Sequence, residues 1–197
     1  MHMKRASLVV LCSAVFVASA MAQSTVRVRG NITAVDGNVL SIKTRDGRDV
    51  KLTLPDDATI AVAMAVRFED VKQGDFLGAT TTEGPNGTRV AVELHYLPPN
   101  VPEGHGPWDL QPNSSMTNAI VSSKVAETGK HEITLQYKGG SQKIVVPETT
   151  PVVRAVPGSR DDLKTGEYIF ATAQVGADGS LAAPRVQVSK AGVKPPQ

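Results

Sequence analysis

The sequence predicts an all-β protein, and its composition and local patterns carry that prediction. Valine and threonine are frequent, glycine and proline punctuate the chain, and long runs of helix-forming residues are few. Short stretches of alternating apolar and polar residues follow one another, separated by glycine turns. A third observation, the return of the same pattern in the second half of the chain, predicts how the strands are organised.

The N-terminus has the form of a secretory signal peptide. Lys4 and Arg5 precede the almost wholly apolar run 6–20, and Ala20-Met21-Ala22 matches a cleavage site. The apolar run is too short to serve as a permanent membrane anchor. We therefore expect cleavage after residue 22 and a periplasmic protein that has no integral membrane segment.

Removal of residues 1–22 changes the charge and the cysteine content of the chain. It removes Lys4, Arg5 and the single cysteine, Cys12, so the 21 basic residues fall to 19 and equal the 19 acidic ones. A neutral chain offers no electrostatic attraction to nucleic acid, and we expect no nucleic-acid partner. Without cysteine the exported chain has neither disulfides nor thiol chemistry.

The first half of the exported chain predicts a meander followed by a hairpin. Alternating segments predict strands near 26–35, 39–44 and 50–54, joined by Asp-Gly turns at Asp36 and Asp46. The apolar stretch 58–66 fits either a strand or an irregular cover. One helical turn is predicted to end at Gly74, and a last hairpin follows over 76–97.

An offset of 92 residues brings the two halves into register. Pro55 aligns with Pro147 and Gly74 with Gly166, and the alignment continues without a gap to Ala91. We therefore predict two tandem small OB-like (Greek-key) barrels from an internal duplication, joined by a proline-rich linker. The predicted boundaries are 1–22 for the signal peptide, 23–97 for the first barrel, 98–115 for the linker, 116–190 for the second barrel and 191–197 for a C-terminal tail.

Histidines and carboxylates near the linker raise a metal-binding hypothesis. Glu93 and His95 alternate on one predicted strand, so their side chains share a face, and His105 and Asp109 follow in the linker. This donor set suits a divalent transition metal such as zinc. No tight ligand spacing fixes the geometry, and the alternative is a strand-end histidine and a loop histidine that bind nothing, in a protein without a cofactor.

The only tryptophan, Trp108, lies in the linker. It fits either a contact with a ligand or partner or an aromatic plug in an apolar gap between the barrels. The acidic pairs at Glu69 and Asp161 precede equivalent predicted helical turns, where free backbone N–H groups favour acids. These pairs are therefore interpreted as structural.

No catalytic motif accompanies these residues. The chain lacks G-x-S-x-G, H-E-x-x-H and a phosphate-binding glycine loop. We expect a non-enzymatic binding or adaptor protein whose partner is an unknown protein or small molecule.

Three short segments carry a resemblance to known proteins: Gly104-His105-Gly106-Pro107-Trp108-Asp109-Leu110, Ser115-Met116-Thr117-Asn118-Ala119 and Lys194-Pro195-Pro196. Together they resemble a family of exported proteobacterial proteins with OB-like β-barrel domains of unknown function. The resemblance implies a periplasmic β protein and supplies no catalytic residues. Some relatives are labelled as metal-transporter components, which for this chain implies at most a soluble accessory role in metal handling. That role is the alternative to the binding-protein hypothesis, and a structural envelope protein is a further alternative.

Overall fold

The computed structural model describes residues 24–127 and 129–196, so the predicted signal peptide lies outside the described residues. The described chain is all-β, as predicted, with 14 strands, three short 3-10 helices and no α-helix. The strands are β1 Thr25–Asp36, β2 Val39–Thr44, β3 Asp49–Thr53, β4 Thr59–Ala65, β5 Phe76–Glu83, β6 Arg89–Tyr96, β7 Gly104–Pro107, β8 Ser115–Glu127, β9 Lys130–Tyr137, β10 Gly140–Val145, β11 Val152–Pro157, β12 Tyr168–Val175, β13 Leu181–Ala182 and β14 Arg185–Val188.

Five strands close into a first barrel in the order β1, β2, β3, β13, β12. Antiparallel pairing of β1 with β12 closes the ring, and the short contact between β13 and β3 is parallel. Alternation along each strand turns aliphatic side chains inward. The largest fully buried residues of this core include Ile32, Leu40, Ile42, Leu52, Leu54 and Ile169.

A second ring closes in the order β8, β9, β10, β6, β5. Here β5 pairs with β8 to close the ring, and β10 meets β6 in a parallel pair. Its core is again aliphatic, with Leu77, Leu94, Ile133, Leu135 and Ile144 fully buried. Both barrels thus combine four antiparallel contacts with one parallel contact.

Each core takes residues from both halves of the chain. Ile42 and Val186 share the first core, whereas Leu94 and Ile144 share the second. The prediction that 23–97 and 116–190 each form their own barrel is therefore wrong. Alternation and turn spacing define strands and their order, but they do not specify which barrel a strand enters.

Two crossing strands cause this exchange. In β4, Ile60 and Val62 pack in the first core, and the chain then delivers Phe68 to the second. In β11, Val152 packs in the second core, and Val156 contacts the first. From the sequence, residues 58–66 fitted either a strand or an irregular segment that covers the barrel. In the structure they contain the strand β4.

The crossing strands pair with each other about a central contact. Ala63 lies opposite Ala155 at the centre of five antiparallel residue pairs, with two pairs on each side. On their outer edges β4 pairs with β14 and β11 pairs with β6, both in parallel. A continuous sheet therefore connects the barrels through β6, β11, β4 and β14.

The glycines aligned by the predicted repeat have the same backbone conformation in each barrel. Gly74 and Gly166 adopt positive φ angles of 91° and 94°, which glycine accepts without the penalty of a side chain. The Gly74 N–H donates to the carbonyl of Val121 at 2.9 Å, and the Gly166 N–H to the carbonyl of Ile32 at 2.8 Å. The turns that follow β3 and β10 also match. In each, the proline carbonyl, of Pro55 or of Pro147, accepts a hydrogen bond from the backbone N–H three residues further along the chain.

The segment predicted as a linker, 98–115, is part of the folded structure. Its residues Gly104–Pro107 form β7, which pairs with the start of β8 in the second barrel. The Arg45 side chain, between β2 and β3 of the first barrel, donates to the carbonyls of Asp109 and Leu110 at 2.8 and 2.7 Å. These contacts attach the segment to both barrels.

Candidate functional site

A cleft of about 680 Å³ lies where the outer surfaces of the two barrels meet. Its walls include His95 and Met116 from the second barrel and Phe170 and Gln187 from the first. The C-terminal Pro196 reaches the same cleft and is buried. We call this space the inter-barrel cleft; its volume falls in the range of small-molecule sites.

Three arginines line the inter-barrel cleft, and no aspartate or glutamate lines it among the described residues. Arg27 is paired with Asp109 at 3.3 Å. Arg154 and Arg185 are exposed and take part in none of the salt bridges formed by the described residues. The cleft therefore presents two arginines that form no salt bridge with a carboxylate of the described residues.

Aromatic rings contribute the apolar part of the wall. Trp108, Phe170 and Tyr96 all line the cleft. The guanidinium of Arg27 lies 4.1 Å from the Trp108 ring centroid, and that of Arg154 lies 3.8 Å from the Tyr96 centroid. Stacked guanidinium and ring surfaces leave the N–H edges of an arginine available to a planar anion.

Buried polar atoms without a hydrogen bond concentrate at this site. The described residues contain four such side-chain atoms: Arg29 Nε, His95 Nδ1, Asn118 Oδ1 and Gln187 Oε1. The last three belong to residues that line the cleft. Because a buried polar atom without a partner is costly, a group of them in one cleft indicates that something else completes their hydrogen bonds.

The four atoms lie in two cross-strand rows. In the second barrel His95, Gly78 and Asn118 are paired across β6, β5 and β8; we call this the histidine row. In the first barrel Gln187, Phe170 and Arg29 are paired across β14, β12 and β1; we call this the glutamine row. Paired residues point to the same face of a sheet, so each row presents its side chains together.

His95 is a buried, neutral member of its row. Its exposed fraction is 8%, and burial lowers its pKa to about 4. The Glu93 carboxylate is 3.9 Å from Nδ1, which is too long for a hydrogen bond. The ring packs directly over Gly78, where an added Cβ would lie 2.3 Å from Nε2. Glycine at that position therefore makes room for the imidazole.

The second predicted histidine ligand lies elsewhere. His105 is on β7, and its Nδ1 is 2.8 Å from the Thr117 hydroxyl. Gly104, its neighbour, is opposite Asn118 of the histidine row, so alternation turns the His105 side chain to the other face of the sheet. The structure does not bring the two histidines together, because two strands, β5 and β8, and one change of face separate them.

The predicted carboxylate ligands are engaged by other side chains. Glu93 is buried and accepts a hydrogen bond from the Thr80 hydroxyl at 3.2 Å. Asp109 binds the buried Arg29 through two contacts of 2.8 and 3.1 Å. Across residues 24–127 and 129–196, no group of three or more histidine, cysteine or acidic side chains is arranged to hold a metal ion.

Asp109 and its arginines hold Trp108 against the first barrel. The hydrogen bond from Arg29, together with the charges of Arg29 and Arg27, lowers the pKa of Asp109 to about 2. The Trp108 carbonyl accepts a hydrogen bond from the Ser114 hydroxyl at 2.9 Å, which closes the loop. The residue singled out as a ligand contact or plug thus lines the cleft in a fixed position.

Sequence reasoning missed most of the cleft. Arg154, Arg185, Phe170 and Gln187 each occupy an ordinary strand position with no motif around them, and Asn118 was singled out only as part of a segment that carries the family resemblance. They converge only because β4 and β11 cross between the barrels. An outward-facing arginine in an otherwise aliphatic stretch, as at Arg154, is the sole signal that the sequence offered.

Comparison of the chain with family models, with curated proteins and with solved structures found no match. The resemblance to exported OB-like proteins therefore remains a prediction. Within the residues that the structure describes, no helix has the length and apolar character needed to cross a membrane.

Proposed function

We propose that this protein is an exported, non-enzymatic binding protein whose inter-barrel cleft takes up a small organic anion. The observation that carries the proposal is the composition of the cleft: three arginines, no carboxylate among the described residues, and three polar residues that each have a buried atom without a hydrogen bond. Arginine recognises carboxylate and phosphate groups through two parallel hydrogen bonds. The signal-peptide pattern supports the periplasm as its location.

The proposal includes the origin of the scaffold, which we infer to be a duplicated OB-type barrel with exchanged strands. Five-stranded Greek-key closure is the feature of that type. Both first strands have a bulge, between Ile32 and Ala34 in β1 and between Val121 and Ser123 in β8. The parallel closing pair Thr53–Ala182 corresponds to Val145–Val90 at the offset of 92 residues.

This arrangement explains why a binding site would form between the barrels. Duplication with exchange places two similar outer surfaces against each other, and the crossing strands fix their separation. Residues on those surfaces are not needed for either aliphatic core, so they are free to become polar. A ligand held there contacts both halves of the chain.

Anion binding to the exported chain tests the proposed function. Phosphate, sulfate, succinate and benzoate are titrated by calorimetry, with the fluorescence of Trp108, the only tryptophan, as a second signal. We expect at least one anion to bind, and the double variant Arg154→Ala/Arg185→Ala to lower that affinity by about tenfold to a hundredfold, since charged hydrogen bonds are lost.

Arg48→Ala is the matched control. Arg48 is exposed and pairs with Asp46 in the turn between β2 and β3, outside the cleft. Its loss should leave anion affinity unchanged. Absence of binding by every anion in the panel, or equal binding by the double variant, would contradict the proposed function.

A further inference from the structure

The inter-barrel cleft is lined by two chemically different sets of polar side chains, one exposed and one with buried atoms. Arg154 and Arg185 are exposed and supply positive charge at its rim. His95 is buried, and its Nδ1, together with Asn118 Oδ1 and Gln187 Oε1, is shielded from solvent without a hydrogen bond. A ligand that fills the cleft would therefore meet charge first and uncharged polar groups deeper in.

The inner polar atoms define what they need from a ligand. The side-chain oxygens of Asn118 and Gln187 are hydrogen-bond acceptors, and the neutral imidazole of His95 has one acceptor nitrogen. An O–H or N–H group on the ligand would satisfy them. A site that holds such unpaired groups discriminates strongly against an analogue that lacks the donor.

The aromatic part of the cleft wall favours a flat apolar body. Trp108 and Phe170 line the cleft, and Arg27 and Arg29 lie over these rings at 4.1 and 5.1 Å respectively. A ring in offset or edge-to-face contact with another ring gains free energy beyond the apolar area that it buries. The lining thus favours ring-bearing ligands.

We propose that the ligand is an aromatic anion, with its charged group at Arg154 and Arg185 and a hydroxyl or amide donor against the buried polar atoms of His95, Asn118 and Gln187. This inference rests on the proposed function and specifies the chemical class of the ligand. The ring of the ligand lies beside Trp108 and Phe170.

Three ring carboxylates test the contributions of the aromatic ring and the hydrogen-bond donor separately. Para-hydroxybenzoate has the anion, the aromatic ring and the donor; benzoate lacks the donor; cyclohexanecarboxylate lacks both the donor and the aromatic ring. Titration of the exported chain should give the tightest binding for para-hydroxybenzoate, about tenfold tighter than benzoate, since one hydrogen bond to a buried group is gained. Benzoate should in turn bind more tightly than cyclohexanecarboxylate.

Two apolar variants of similar shape test the inner polar atoms. Gln187→Met and Asn118→Leu remove oxygen atoms that have no hydrogen bond in the free protein, so both variants should fold at least as stably as the wild type. In Gln187→Met alone the preference for para-hydroxybenzoate over benzoate should fall. In the double variant the preference should vanish.

The outcomes separate this inference from the proposed function. Equal affinity for para-hydroxybenzoate and benzoate, or a preference that persists in the double variant, would overturn the ligand class while anion binding stands. The ligand class would also be overturned if succinate or phosphate bound in an arginine-dependent manner while no ring carboxylate bound. Loss of all arginine-dependent anion binding would instead remove the proposed function itself.

Discussion

The histidine row and the glutamine row occupy matching places in the two barrels, yet they carry different side chains. His95 on β6 lies beside the crossing strand β11, as Gln187 on β14 lies beside β4. Gly78 stands where the other row has Phe170, and Asn118 stands where it has Arg29. One residue away on the same strands, Leu94 and Val186 are both fully buried in their cores.

This contrast shows which positions the scaffold constrains. Inward positions must fill an aliphatic core at high density, so both barrels use similar residues there. The outward positions of the two rows lie at the inter-barrel cleft and do not have to fill a core. The result is an asymmetric cleft on a nearly symmetric scaffold, with an imidazole on one side and an aromatic ring and a guanidinium on the other.

The largest expected effect tests the shared feature, the core. Leu94→Ala should lower the free energy of unfolding by about 2–5 kcal/mol, because a fully buried side chain is replaced by a cavity. Val186→Ala, at the matching position, removes fewer carbon atoms and should have a smaller effect. Urea unfolding followed by circular dichroism measures both values.

The shape of the same unfolding curves tests the exchange of strands. Because each core contains residues from both halves, we expect one cooperative transition in the wild type and in both variants. Two separate transitions, with only one of them shifted in Leu94→Ala, would show that the barrels unfold independently.

The next largest effect concerns the buried imidazole. An unfolded histidine has a pKa of about 6.5, whereas burial lowers the pKa of His95 to about 4 in the folded protein. Between these values the unfolded chain binds a proton that the folded chain does not, so stability falls as the pH drops. The loss should reach roughly 3 kcal/mol near the lower value.

His95→Gln, which copies the residue of the other row, should remove this part of the pH dependence. Urea unfolding of wild type and variant is compared across the acidic range. His105→Gln is the control, since His105 is exposed and its substitution should change the pH profile less. Parallel profiles for wild type and His95→Gln would show that His95 is not held neutral by burial.

Gly78→Ala tests why the central residue of the histidine row is a glycine, whereas that of the glutamine row is Phe170. The new methyl group would collide with the His95 ring, so we expect a loss of about 1–3 kcal/mol in the free energy of unfolding. In the His95→Ala background the same substitution should be nearly neutral, because the ring is absent. A double-mutant cycle measures this coupling, and additive effects would contradict the close contact.

The smallest expected effect concerns the contact that holds Trp108. Asp109→Asn should destabilise the protein by about 1 kcal/mol at neutral pH, a value reduced because the carboxylate is half exposed. Since the pKa of Asp109 is lowered to about 2, its contribution is present above the unfolded value of about 3.9 and disappears as the pH falls toward the folded one.

Urea unfolding of Asp109→Asn at neutral and at strongly acidic pH tests whether the contribution of Asp109 to stability disappears in acid. The difference from wild type should be present at neutral pH and close to zero in strong acid. Asp49→Asn is the matched control, because the Asp49 pair with Lys43 is well exposed on both sides and should contribute little. A difference that grew in acid would contradict the ion pair.

Local features were predictable because their causes are local. The Asp-Gly turns at Asp36 and Asp46 form hairpins, and Gly37 and Gly47 adopt the positive φ angles that such turns require. The short helical turns before Gly74 and Gly166 also occur, at Phe68–Asp70 and Arg160–Asp162. In the second of these, Asp162 accepts from the Ser159 N–H, as an acid at a helix start should.

Strand pairing explains why the structure does not bring the candidate metal ligands together. Glu93 and His95 share a face, as alternation requires, but closeness to His105 depended on how the linker folded. The linker instead formed β7 at the far edge of β8, and Asp109 turned to Arg29. No pattern within 98–115 encodes that choice.

The all-β class, most strands and turns, and a tryptophan in the segment between the two halves could be predicted from the residues alone. These features follow from alternation, glycine conformation and apolar burial, which act over a few residues. The crossing of β4 and β11 between the barrels could not be predicted, and with it neither the position of the cleft nor the side chains that line it. Which barrel a given strand completes depends on the packing of residues far apart in the chain, whereas local alternation is compatible with either choice.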